Sequence, residues 1–186
     1  MFCHILECCA LIRAQHSSKT IWIEKTHIHL YQISYVTQQI SEARFIHIAR
    51  AAEDTIASLY SVRKQYPNQW SNELASVELS VDRWIKGISI SSSYAHLPIH
   101  LFVSYESLIR NPCYVLQHLC QFIGIGFTVN MLSGYASTAQ QVSLKREPWK
   151  AGVATPIQNA NSTKFYSLFT PNQQAYILAR TASVDI

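Results

Sequence analysis

The sequence predicts an α/β fold, a parallel sheet flanked by helices, on three observations. Residues Trp22 to Tyr60 alternate in the order strand, helix, strand, helix. Phe45 to Ala49 and His100 to Val103 are short apolar runs suited to buried parallel strands, which read as near-continuously hydrophobic because helices cover both faces. Polar residues then close the runs: Lys25 and His27 after the first strand, Arg50 after the second and Tyr105 after the third. The carboxyl ends of strands in a parallel βαβ unit share one sheet edge, where such sheets bind ligands, so Lys25 and His27 are expected near Arg50.

Each element has its own warrant. Ile5, Leu6, Cys9 and Ile12 recur at helical spacing, and a polar turn from Gln15 to Lys19 leads into the β-branched run Thr20 to Ile23, read as the first strand. Leu30, Ile33, Val36 and Ile40 follow a helical period before the strand at Phe45. A helix is expected from Glu53 to Tyr66, with Glu53 and Asp54 complementing the dipole in its first turn and Pro67 closing it. A longer helix is expected over about Ser71 to Ala95, ending before Pro98. Asn111-Pro112 opens another, with Val115, Leu116, Leu119 and Phe122 on one face before Gly124. Residues Gly126 to Asn161 are rich in Ser, Thr, Gly and Gln and read as irregular, and Pro171 to Arg180 reads as a closing helix.

The chain has 186 residues, 48% of them hydrophobic and 14% charged, enough to bury the core of one domain spanning residues 1–186. Its net charge of +4 is scattered, the tightest basic groups being Arg63-Lys64 and Lys145-Arg146. That argues against a nucleic-acid face and for a small anionic ligand. Five cysteines without a CxxC pair point to reduced thiols, with Cys113 and Cys120 expected in the core. The opening Met1 to Ile12 lacks a basic first region, carries Glu7 and is too short and polar for a membrane span. A cytoplasmic protein with no membrane partner is therefore the expectation.

Arg50 leaves a strand just before a helix, and Ser58 lies eight residues on, about two helical turns away. A guanidinium gives bidentate, charge-assisted bonds to phosphate, a helix start adds partial positive charge, and a hydroxyl adds a donor. The pair can grip one phosphate. It can equally be a strand-end cap followed by a helix-filling serine, and spacing alone does not decide. His47 and His118 read as ordinary core or surface residues.

Glu24 to His29 (Glu-Lys-Thr-His-Ile-His), Arg44 to Arg50 (Arg-Phe-Ile-His-Ile-Ala-Arg), Ala57 to Tyr60, His100 to Glu106 and Glu147 to Lys150 occur in that order. As an ordered set over roughly residues 20–180, they resemble the sulfotransferase family. The resemblance implies a P-loop-NTPase-like fold and transfer of a sulfuryl group from 3′-phosphoadenosine 5′-phosphosulfate (PAPS), as co-substrate, to a hydroxyl or amine, without a metal. It implies that Arg50 and Ser58 bind the donor's 3′-phosphate and that Tyr105 packs near the adenine. It also implies that Lys150, with Trp149 and Gly152, belongs to the late segment that closes over the nucleotide. Lys25-Thr26-His27 resembles the segment that supplies the catalytic lysine and base in cytosolic members. Bacterial-type relatives carry Glu-Lys-Thr-Pro-x-His, which falls on Glu24 and His29. His27 is the first choice of base, with His29 and Glu24 open as alternatives. An imidazole suits proton removal near neutral pH, and the Lys25 ammonium suits charge on a leaving phosphate.

The family's Pro-x-Ser-Gly-Thr-Thr loop, which holds the 5′-phosphosulfate after the first, central strand, has no counterpart here. Ser17-Ser18-Lys19-Thr20 precedes a strand, whereas a phosphate-cradling loop must follow one and open a helix. The expectation is an amino-terminally shortened, incomplete domain with the first strand and phosphate loop missing, inactive in this form. An exposed sheet edge would then favour self-association. Ala51-Ala52 and the serines flanking Tyr105-Glu106 also depart from the family pattern. The alternative reading is a non-catalytic remnant that binds nucleotide or a partner. The acceptor's class is not legible in the sequence.

Overall fold

The computed structural model describes residues 21–67, 74–137 and 163–184. Residues 1–33 and 34–186 form two compact units, each described by itself.

In the first unit, residues 21–26 form neither helix nor strand and lead into a 3-10 helix, His27–Gln32, with Thr26 in extended conformation. This corrects the expected first strand at Thr20 to Ile23 over residues 21–23, Thr20 lying outside the described residues. β-branched residues favour extended backbone, but a strand also needs a neighbour for its N–H and C=O groups, and among the described residues no strand pairs with 21–26.

In the second unit, which takes in all of α1 (Ile33–Gln39) but its first residue, β1 (Phe45–Ala49) comes next and ends where the apolar run ends. Then come α2 (Ala52–Gln65), α3 (Val77–Tyr94) and β2 (His100–Ser104). The two strands pair in parallel, with Phe45 opposite His100 and Ala49 opposite Ser104, in the one sheet among the described residues. The parallel crossover among the described residues therefore joins β1 to β2 through two helices. Tyr105 now shares a sheet edge with Arg50.

After β2, α4 (Tyr105–Arg110) starts on a Ser104 N-cap whose side chain accepts the Ser107 N–H. Thus Tyr105 opens a helix and does not end a strand. Next is α5 (Pro112–Ile123), with proline in its first turn and Gly124 at φ 87°, the left-handed conformation that favours glycine as a helix terminator. A short α6 (Asn130–Ser133) falls within the segment expected to be irregular, while 138–162 lie outside the described residues. α7 (Thr163–Leu168) and α8 (Pro171–Thr181) end the fold, α8 opening on a Thr170 and Gln173 capping box. The α3 start at Val77 lies later than expected, because Ser76 caps the helix by accepting the Leu79 N–H at 3.2 Å.

The core lies where α2, α3, α7 and α8 meet. Ala49, Ala52, Ile56, Val81, Trp84, Ile88, Phe165, Phe169 and Ile177 are buried there. Cys120 is buried and Cys113 half-buried, both as free thiols. Ile48 on β1 is 60% exposed. No helix among the described residues is long and apolar enough to cross a membrane.

Candidate functional site

β1 delivers Arg50 to the carboxyl end of the sheet, and the backbone there is held from several directions. The Arg50 carbonyl accepts the Trp84 indole N–H at 3.1 Å and the Thr55 hydroxyl at 3.3 Å. One residue on, the Ala51 N–H donates to Glu106 Oε1 at 3.0 Å, and Glu106 Oε2 accepts the Ser104 hydroxyl at 3.1 Å. The end of β2 is thereby tied to the turn after β1, while buried Trp84 ties α3 to the same turn.

This frame aims the Arg50 side chain. Its guanidinium carbon lies 4.6 Å from the Tyr105 ring centroid, a cation–π contact. Its Nη2 lies 3.5 Å from Asp54 Oδ2, and the Asp54 side chain is buried while that of Arg50 is 32% exposed. A buried carboxylate behind a partly exposed guanidinium orients the fork and leaves part of it accessible. Positions 50, 54 and 58 follow the i, i+4, i+8 progression, so Ser58, half-buried on α2, lies on the α2 face that carries Asp54. The edge thus offers a planar cation and an aromatic ring, groups suited to a phosphate attached to a base.

Glu24, Lys25, His27 and His29 belong to the first unit, and Arg50, Ser58 and Tyr105 to the second. Of the first set, Glu24 and His29 are in direct contact, with His29 Nδ1 2.8 Å from Glu24 Oε2. The Thr26 hydroxyl donates to Glu24 Oε1 at 2.5 Å. Lys25 and His27 are exposed. Lys150 lies outside the described residues.

His47 is buried in the sheet. Its Nδ1 lies 3.0 Å from Ser91 Oγ and its Nε2 2.9 Å from His100 Nδ1, while its ring stacks on Phe102. Burial first, and then the neighbouring His100, lower its pKa from 6.5 to about 4. Burial, with His96 nearby, also lowers that of His100. This histidine pair is a core feature, and His118 is exposed.

Asp54, Trp84 and Glu106 were not singled out from the sequence as site-forming residues. Asp54 carried a signal in its i+4 relation to Arg50. Glu106 carried one in its place beside Tyr105. Trp84 carried none, because its contact spans 34 residues of chain.

Residues 4–129 match the sulfotransferase family. Cytosolic sulfotransferase 16 of Arabidopsis thaliana is 29% identical over 100 residues, a match that covers 47% of this chain and 29% of the relative. The crystal structure of mouse sulfotransferase SULT7A1 complexed with PAP superimposes with a TM-score of 0.57 at 16% identity, over 83% of this chain and 64% of that one. The chain thus spans less than a third of its curated relative and under two thirds of the solved structure. With more than half of its residues matched to that family, and with an α/β fold like that of a solved member, the chain belongs to the sulfotransferase family.

Proposed function

We propose that the chain binds PAPS through its 3′-phosphate and serves transfer of the sulfuryl group to a hydroxyl or amine acceptor. The observation that carries this reading is the Arg50 guanidinium at the carboxyl end of the parallel strands, backed by Asp54 and faced by Tyr105. Arg50 and Ser58 would hold the 3′-phosphate, and Tyr105 would pack near the adenine. Lys25 would offset charge on the leaving phosphate. The base would come from His27, with His29 and Glu24 as alternatives. PAPS, when bound, supplies the activated sulfuryl group for an in-line displacement. The PAP bound in the mouse structure and the family match support this donor.

The 186 residues contain no Pro-x-Ser-Gly-Thr-Thr loop. Removing even one preorganised donor near a reacting centre costs about 100-fold or more. The proposal is therefore nucleotide binding by this sequence with little or no turnover. A cytoplasmic location belongs to the same proposal and is supported by the name of the Arabidopsis relative.

Isothermal titration with 3′-phosphoadenosine 5′-phosphate tests the reading. Micromolar binding is expected, weakened about 30-fold or more by Arg50→Ala, because truncating one member of a hydrogen-bonded charge pair costs about 2 kcal/mol or more. Arg50→Lys keeps a cation beside Asp54 and loses the fork, so its binding should fall while its fold persists. Equal affinity in all three proteins would count against the site.

A further inference from the structure

Three residues of the first unit form one closed set of hydrogen bonds. The Glu24 carboxylate takes the Thr26 hydroxyl on one oxygen, at 2.5 Å, and lies 2.8 Å from His29 Nδ1 through the other. The backbone closes the same turn, the His29 N–H donating to the Thr26 carbonyl at 3.1 Å, where the 3-10 helix begins. The Glu24 and His29 side chains are 29% and 20% exposed, and His29 Nε2 is shielded from solvent. Lys25 and His27, interleaved between them, are exposed.

A carboxylate whose two oxygens are both turned to groups of its own segment is poorly placed to meet an incoming hydroxyl. An imidazole whose second nitrogen is shielded is poorly placed to reach an incoming hydroxyl. We propose that Glu24 and His29 are positioning residues: the carboxylate straps residues 24–29 into one turn and so sets how Lys25 and His27 are presented. This rests on the sulfotransferase reading for what Lys25 and His27 do, and it removes Glu24 and His29 from the candidates for base. His29 acts through its Nδ1–H as a donor, and its basicity is not used.

Nitrogen-15 NMR of histidine-labelled chain at pH about 8.5, above the ordinary histidine range, reads the strap directly. His29 should hold its proton on Nδ1, since the bond made by one ring nitrogen sets which of the two is protonated. Glu24→Ala should release that preference, shift the His27 ring signals, and speed amide exchange over residues 27–29 about tenfold or more. His29→Asn, whose side-chain amide nitrogen stands near the place of Nδ1, should keep the slow exchange and the His27 signals, and His29→Ala should lose both. A His29 proton on Nε2 in the unaltered chain, unchanged exchange in Glu24→Ala, or a His29→Asn variant as loose as His29→Ala would each overturn the strap. None of these readings involves nucleotide. An intact strap in a chain that fails to bind 3′-phosphoadenosine 5′-phosphate would instead count against the sulfotransferase site.

Discussion

Acidification from pH 7 to about 4.5 is expected to remove roughly 2 kcal/mol of folding stability through His47 alone. Burial and the adjacent His100 lower the folded-state pKa of His47 from 6.5 to about 4. Above the unfolded value both states are neutral, and this contribution is fully present. Below it the unfolded chain takes up the proton first, so stability falls by up to about 1.4 kcal/mol per pH unit until the folded pKa is reached. His100, lowered for the same reason, adds in the same direction. The physical cause is a pair of imidazoles 2.9 Å apart between stacked aromatic rings, where a cation has little water to solvate it. Urea unfolding across this range checks it. His47→Gln should flatten the slope relative to the unaltered chain, and identical pH profiles would contradict the account.

Truncating Phe165 should cost about 3–5 kcal/mol, and about 10 °C or more in Tm. The ring is 0% exposed and packs edge-on against Phe169 at 5.6 Å between centroids. Phe169 in turn meets Tyr60 of α2 at 5.4 Å. Removing the ring leaves a cavity where α7 supports α2, the helix that carries Asp54 and Ser58. Tyr166→Ala is the matching control, because Tyr166 is 64% exposed and surface truncations shift stability by about 0.5 kcal/mol or less. Calorimetry should separate the two variants widely. Equal shifts would mean that the core is elsewhere.

The legible parts of the fold were those specified by local chemistry. Phe45 to Ala49 is a parallel strand with both ends as expected, but a continuous apolar run reads as covered on both faces, and Ile48 is 60% exposed. Pro112 and Gly124 bounded α5 for equally local reasons. The segment at 21–23 misled because extended propensity says nothing about whether a neighbouring strand is available. At six residues, α7 is too short to show a helical period. The site divides in the same way. Arg50 and Ser58 stood out from their spacing, and the edge-sharing logic that marked Arg50 applies to Tyr105 through the β1 and β2 pairing. Trp84 and Glu106, which hold the turn, reach it from other elements, and no local pattern announces such contacts.

Selectivity for the ribose 3′-phosphate tests the central claim most directly. The unaltered chain and Arg50→Lys should be titrated with 3′-phosphoadenosine 5′-phosphate and with adenosine 5′-phosphate, which lacks the second phosphate. The account predicts that the unaltered chain prefers the bisphosphate by about 30-fold or more, and that Arg50→Lys loses most of that preference while still binding the monophosphate comparably. Equal affinity of the unaltered chain for both nucleotides, or a preference that survives in Arg50→Lys, would contradict it.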